Sequence, residues 1–204
     1  MQGRKLLKHF FPEPNPFNDD RRFIEIYPQN IQKISQRHWT PVSVIRQAAR
    51  FLSPAPNLRI LDIGSGIGKF CLVAAHDNPD SIFIGVEQRA ELVQVAEHAK
   101  EILAIKNVIF HHENITGTDL SAYDHFFFFN SFFEQIEPVD RMDGSIVYSN
   151  ANYAYYTEVL YKKLEILPPG TRLVTYHGKH SQVPPGFVLR DRTFDNLLEF
   201  WIKN

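Results

Sequence analysis

Three glycines at alternate positions, Gly64, Gly66 and Gly68, lie in the stretch LDIGSGIGKF, residues 61–70. An apolar run, Leu58 to Ile63, precedes them, and a small-residue apolar run, Phe70 to Ala75, follows. Glycine tolerates positive φ and lets another molecule touch the backbone. A helix start just beyond such a loop offers free N–H groups to a carboxylate or phosphate. Strand, glycine loop and helix together make a cradle for a nucleotide-like ligand. Acids and amides recur where the following apolar runs end. Asp62 stands just before the loop, and Glu87 closes the run Ser81 to Val86. An acid about 20 residues past such a loop can accept both hydroxyls of a ribose. Asn114 follows the third run, and Asn130-Ser131-Phe132-Phe133 follows the fourth.

The loop excludes two common ligands as its first choice. The dinucleotide pattern GxGxxG needs glycine at position 69, which is Lys69, and the phosphate-loop pattern GxxxxGK[ST] needs Ser or Thr where Phe70 stands. What remains is acid-x-Gly-x-Gly-x-Gly with a second acid at Glu87. A nicotinamide-dependent oxidoreductase stays open as an alternative because it shares the loop and Glu87.

These residues require a regular frame. Thr40 followed by Pro41 reads as an N-cap with proline at the first helical position, and Ile45, Ala48, Ala49 and Leu52 form a stripe at helical spacing. Ser53-Pro54-Ala55-Pro56 ends that helix. A helix is expected over Arg89–Leu103, with Leu92, Val95, Ala96, Ala99, Ile102 and Leu103 on one face. Strands follow at Asn107–His112 and Tyr123–Phe129, the latter with Phe126 to Phe129 as core. A helix over Asn150–Leu167 and a strand over Arg172–His177 come next. Gly186–Arg190 and Leu197–Ile202 read as strands with no helix between them, and the alternation Leu198, Phe200, Ile202 suits an antiparallel hairpin at a sheet edge. Strand–helix alternation ending in a strand pair predicts a three-layer α/β domain. Residues 1–40 read as an arm, extended or turning through FFPEPNPFNDD, with a short helix around Ile31–Arg37. The domain proper is expected over 41–204.

Charge and cysteine content narrow the context. The 204 residues carry 22 Lys+Arg against 23 Asp+Glu, a net charge of −1 that gives no global attraction to nucleic acid or anionic membrane. A small-molecule or protein partner is favoured. No apolar stretch approaches the roughly 18 residues of a membrane span. The start MQGRKLLKHFF is basic then apolar, but Lys8 and His9 interrupt it without a small-residue cleavage site, so it reads as a mature terminus in the cytoplasm. The one cysteine, Cys71, suits a reducing compartment and reads as a buried small hydrophobe. His177-Gly178-Lys179-His180 and His111-His112 lack the acid or cysteine partners of a metal site, and no metal is expected.

LDIGSGIGKF and IGVEQ together resemble the first and second motifs of the class I S-adenosylmethionine (SAM) methyltransferases, and the order of elements agrees from about residue 41 onward. The resemblance implies a mostly parallel, seven-stranded, Rossmann-like sheet with an antiparallel C-terminal pair, and methyl transfer by in-line displacement to an acceptor. It implies SAM as cofactor, with Gly64, Gly66 and Gly68, alongside Ser65, against its methionine part and Glu87, with Gln88 beside it, at the ribose. Asn114 would meet the adenine amine, Asp62 would order the loop, and the Thr40 segment would close over the ligand. Asn130-Ser-Phe-Phe resembles the Asn-Pro-Pro-Tyr/Phe motif of amino-group methyltransferases without its prolines. It is also similar to the Asn-x-Phe segment of the seven-strand, non-SET histone-lysine methyltransferases, over roughly residues 41–177. The nucleosome-binding portions of that family have no counterpart here. These likenesses place Asn130 on the acceptor side, slightly favouring nitrogen, with Glu134 as an acceptor-orienting or proton-accepting acid. A non-catalytic SAM-binding scaffold is the remaining alternative.

Overall fold

The computed structural model describes residues 15–33, 39–136, 144 and 146–204. Seven strands form one sheet in the order β3-β2-β1-β4-β5-β7-β6. They are β1 (Arg59–Ile63), β2 (Ile82–Glu87), β3 (Val108–His112), β4 (His125–Phe128), β5 (Arg172–Tyr176), β6 (Phe187–Thr193) and β7 (Leu198–Lys203). The first five run parallel, and β7 inserts antiparallel between β5 and β6. The strand pair therefore closes one edge as the sequence predicts, with β6 outermost. β7 is buried on both faces apart from the half-buried Ile202, because Glu199, Trp201 and Lys203 are covered as well as Leu198 and Phe200.

The described helices are α1 (Asp20–Ile24), α2 (Gln29–Gln32), α3 (Val42–Leu52), α4 (Lys69–Asp77), α5 (Ala90–Leu103) and α6 (Asn150–Glu165), with short 3-10 turns at Pro16–Asn18, Leu120–Ala122, Phe133–Gln135 and His180–Gln182. Side chains alternate across a strand, so β4 feeds two cores. Phe127 joins the face covered by α3, α4 and α5, while Phe126 and Phe128 join the face covered by α6. Phe70 of α4 stacks on Phe127 with ring centroids 3.9 Å apart and planes 4° from parallel. Phe129, expected in the core, is only half-buried because the strand ends at Phe128. On α5 the expected stripe holds at Leu92, Ala96 and Ala99, but Ile102 is exposed at 53% because it falls in the last turn, past the edge of the sheet-facing stripe.

Two local structures differ from the sequence reading. The N-cap of α3 is Pro41, not Thr40, and no side chain of that residue caps the helix. Asp20 supplies the cap from a distance: its Oδ1 accepts from the N–H of Val42 at 3.0 Å. The segment before residue 33 is also more regular than proline content suggests. Asn15 and Asp19 cap two successive turns, and Phe17, Phe23 and Tyr27 enter the core shared with α3 and α4. The short helix forms at Gln29–Gln32, and the rest of its expected range, 34–37, lies outside the described residues.

Candidate functional site

The parallel strands β1, β2 and β4 end on one edge of the sheet, and that edge opens into a cavity of about 540 Å³. Thr40, Asp62, Gly64, Ser65, Gly66, Glu87 and Asn130 all line it. A smaller cavity next to it, about 40 Å³, is lined by Gly64, Glu87, Gln88 and Asn114 among others. Gly64, Glu87, Arg89 and Ser131 border both, so the two spaces adjoin along one trough.

The glycine loop is built by backbone geometry. The N–H groups of Gly64 and Ser65 both donate to the carbonyl of Val86, at 2.9 and 3.0 Å, fastening the loop to β2. Gly64 has φ +74°, and a Cβ there would sit 2.5 Å from the Ser131 side chain. Ser131 Oγ itself donates to the Ile63 carbonyl at 2.8 Å, locking the end of β1 to the end of β4. Gly68, expected against the ligand, lies elsewhere. It has φ +78° at the N-cap of α4, and a Cβ would meet Phe110 Cζ at 2.3 Å, so its work is to let α4 pack on β3 and α5.

Glu87 is 5% exposed and held at both oxygens. Oε2 accepts from the Gly66 N–H at 3.1 Å, and Oε1 accepts from the Arg89 N–H at 3.0 Å. The Arg89 guanidinium, also buried, lies 3.4 Å from Oε1 and donates to the Tyr148 hydroxyl at 3.1 Å. The carboxylate thereby ties the glycine loop to the start of α5. Oε1 takes both Arg89 donors while Oε2 takes one, so Oε2 keeps acceptor capacity at a residue that lines both spaces.

Asp62 points to the helix face of β1, where the Cys71 thiol of α4 donates to its Oδ2 at 3.7 Å. Burial raises its carboxyl to about 8. The Cys71 hydrogen bond opposes that rise and the nearby Glu87 charge adds to it. Burial, then the Asp62 charge, pushes the Cys71 thiol well above its ordinary value, which fits a structural residue and not a nucleophile.

At the smaller cavity, Asn114 uses its amide locally. Oδ1 accepts from Thr116 N–H at 3.0 Å, while Nδ2 donates to Gln88 Oε1 at 3.0 Å and the Tyr156 hydroxyl at 3.3 Å. Capping the loop and lining the cavity are thus both roles of Asn114.

Asn130 follows β4 with φ +31°, a region asparagine enters more readily than most residues. Its Oδ1 accepts from Gln182 Nε2 at 3.4 Å. Phe129, Phe133, His177 and Lys179 complete this end of the cavity. The Lys179 ammonium lies 5.7 Å from the Phe133 ring centre and 5.5 Å from that of Tyr153. Burial lowers the His177 imidazole. Glu134 sits in the short turn Phe133–Gln135, and its side chain is outside the described residues. Among the described residues no three His, Cys, Asp or Glu side chains are grouped to hold a metal. His180 instead bonds Glu199 at 2.6 Å, and His112 pairs with the Gln88 carbonyl at 3.1 Å.

Two residues of the site carried no sequence signal. Arg89 lines the trough without a motif of its own, and Gln182, which reaches Asn130 without lining the trough, has none either; only the fold brings them there. Two buried polar atoms of the lining, Ser65 Oγ and Trp39 Nε1, have no hydrogen-bond partner. A buried polar group without a partner is costly, and both residues belong to the lining of the larger cavity. With the Glu87 carboxylate and the close approach allowed at Gly64, the donor set fits a nucleoside bearing a polar tail, which is the chemistry of SAM.

Comparison with known proteins agrees. A family model described as a methyltransferase domain matches residues 54–177. The 23S rRNA (uracil(1939)-C(5))-methyltransferase RlmD of Shewanella sediminis is 39% identical over 80 residues, 39% of this chain and 16% of that protein. A tRNA (guanine-N(7)-)-methyltransferase of Synechococcus is 47% identical over 55 residues, 27% of this chain and 23% of that protein. The release factor glutamine methyltransferase of Escherichia coli is 37% identical over 65 residues, 32% of this chain and 23% of that protein. The chain thus spans about a quarter or less of the curated relatives it matches. In fold it is similar to an RNA methyltransferase from Salinibacter ruber in complex with S-adenosyl-L-homocysteine. That likeness has a TM-score of 0.54 and 20% identity, over 80% of this chain and 92% of that one. TrmN from Thermus thermophilus also gives 0.54 and 20%, over 83% and 50%. The matched stretch runs from the end of α3 to the end of β5 and holds both motifs, so the chain belongs to the methyltransferase-domain family, with the Rossmann-like sheet of the class I SAM-dependent methyltransferases.

Proposed function

We propose that the protein is a SAM-dependent methyltransferase whose acceptor atom is a nitrogen presented at Asn130. The observation that carries this reading is the placement of Asn130 on the same cavity as the glycine loop and Glu87. The cofactor, when bound, supplies a methyl group already activated on a sulfonium, so the protein's task is alignment and exclusion of water. Glu87 would accept from the ribose hydroxyls, and the loop from Gly64 to Gly66 would hold the methionine end, with Trp39 and Thr40 on the same lining. Gln88 and Asn114 border the base. Asn130 Oδ1 would accept an N–H of the acceptor and so orient its nitrogen lone pair away from the amide. Phe129 and Phe133 keep water from the transfer path.

The relatives' names put methyl groups on a guanine nitrogen, a uracil carbon and glutamine, so RNA and protein both belong among the acceptors to test. The chain's near-zero net charge therefore does not remove nucleic acid from consideration. The decisive experiment supplies SAM with a labelled methyl group to the protein with RNA, peptides or small amines, and locates the label by mass spectrometry. Label on nitrogen is the expected result. Label confined to carbon or oxygen would overturn the acceptor assignment. Binding of SAM with no transfer to any acceptor would favour a scaffold, and binding of NAD without SAM an oxidoreductase.

A further inference from the structure

The segment ahead of α3 reaches the glycine loop through one carboxylate. Asp20 Oδ1 accepts from the Lys69 ammonium at 2.5 Å and from the Val42 N–H at 3.0 Å. Lys69 is the first residue of α4, immediately after the glycine loop, and Val42 is the first of α3, immediately after Trp39-Thr40-Pro41. Asp20 thus joins the two walls that flank the larger cavity, yet it does not line the cavity itself. Lys69 is only 5% exposed, with its ammonium 5.8 Å from the Phe23 ring centre and 5.7 Å from that of Trp39. A second bond supports the same arrangement: the Tyr27 hydroxyl donates to the Ile67 carbonyl, inside the loop, at 3.1 Å.

From these contacts we infer that Asp20 is a positioning residue for cofactor binding. It holds the loop's following helix and the Trp39–Thr40 wall at one separation, so that Trp39 and Thr40 on one side and the glycine loop on the other line the same ligand space. The inference rests on reading the trough as a SAM site. Without the Asp20 carboxylate, Lys69 is a buried cation with no anion of this segment beside it, and the first N–H of α3 loses its acceptor. Both walls must then rearrange, because an unpaired buried charge is not tolerated and an uncapped helix start frays.

Calorimetric titration of the full chain with S-adenosylhomocysteine tests this. Asp20→Ala is expected to weaken binding about fivefold to tenfold, the scale of a typical coupling between sites. Asp20→Glu, which keeps the carboxylate, is expected to restore most of that loss. Lys69→Met and the Asp20→Ala/Lys69→Met pair complete a double-mutant cycle, and the paired losses should be clearly less than additive. A mere loosening of the fold would lower the melting temperature of Asp20→Ala with no rescue of affinity by Glu and with additive losses, which overturns the inference. Unchanged affinity in Asp20→Ala also overturns it. Failure of the unsubstituted protein to bind S-adenosylhomocysteine would overturn the SAM reading and this inference together, a result distinguishable from either of the others.

Discussion

Gln182 fixes which end of the Asn130 amide is which. The Lys179 backbone N–H can only donate, and it donates to Gln182 Oε1 at 2.8 Å, so the other end of the Gln182 side chain is its NH2 group. That NH2 faces Asn130, which must answer with its own carbonyl oxygen. Gln182 is 3% exposed and sits in the short turn His180–Gln182. The turn is anchored to β7 by the bond between His180 and the buried Glu199, which Arg192 also meets at 3.1 Å. One lone pair of Asn130 Oδ1 is taken at 3.4 Å, leaving the second for an acceptor N–H.

Asn130→Ala should therefore lower turnover by about 100-fold, the order associated with losing one positioned polar group in an active site, while S-adenosylhomocysteine affinity changes less than about twofold. Gln182→Met should act in the same direction and more weakly, because the Asn130 oxygen remains but its orientation is no longer imposed. Steady-state kinetics on the acceptor identified by labelling, with calorimetry in parallel, measures both. Equal losses of turnover and affinity would show that Asn130 serves the cofactor and not the acceptor.

Gly64→Ala should abolish measurable binding of S-adenosylhomocysteine. The backbone there is left-handed, which costs an L residue roughly 1–2 kcal/mol, and the added methyl would collide with Ser131 at 2.5 Å. Relief requires Ser131 to leave Ile63, which opens the junction of β1 and β4. Gly68→Ala should instead destabilise the fold, since its methyl would strike Phe110 in the core and not the trough. In the second variant, Phe110→Leu should recover part of the lost melting temperature by making room, and it should recover nothing in the first. Thermal unfolding with and without S-adenosylhomocysteine separates the two cases.

The contrast between these glycines also shows what the sequence made legible. Spacing identified the loop, and apolar runs identified all seven strands and the large helices, because strand and helix periodicities are local properties. Spacing could not say which glycines face a ligand: Gly64 and Gly68 have nearly the same φ, and only the packing of Phe110 against one distinguishes them. Asp20 illustrates the same limit over a longer range. It caps α3 from 22 residues away and pairs with Lys69 from 49 residues away, whereas Thr40-Pro41 offered a local cap that the fold does not use. Gln182 meets Asn130 only because β5 lies beside β4 and the turn after β5 folds back over the strand end.

Glu87→Gln should weaken S-adenosylhomocysteine binding about tenfold, and Glu87→Ala more. The Gln side chain retains an oxygen that can accept from the Gly66 N–H, so the loop stays tied to β2, but its NH2 replaces the oxygen that accepts from the Arg89 N–H and guanidinium, and the ribose hydroxyls lose a charged acceptor. Hydrogen bonds to a charged group are worth about 1.5–3 kcal/mol, against roughly 1 kcal/mol for neutral ones. The Ala variant loses the loop tie as well and takes the carboxylate away from the buried Arg89 guanidinium. Calorimetry with the three proteins should rank them in that order. Equal affinity of Glu87→Gln and the unsubstituted protein would mean that the carboxylate serves the loop alone.

The buried carboxyl of Asp62 should make stability fall with rising pH. Its folded-state pKa, raised to about 8, lies above the ordinary carboxylate value near 3.8 that an unfolded chain presents. Between those values the folded state keeps a proton that the unfolded state has released. Stability therefore declines as pH rises from about 4, and the decline ends once the folded carboxyl also ionises near pH 8. Asp62→Asn has no proton to release, so it should be most stabilised relative to the unsubstituted protein above pH 8, and least so near pH 4. Urea unfolding of both proteins at pH 5, 7 and 9 tests the sign. A difference between the two that is constant across this range would mean that Asp62 is ionised in the folded protein throughout. The same burial links the group to the ligand: a cation bound in the trough favours the carboxylate, so SAM binding at pH 7 should release protons where binding to Asp62→Asn does not. Calorimetry of SAM binding in buffers of different ionisation enthalpy reads that release directly.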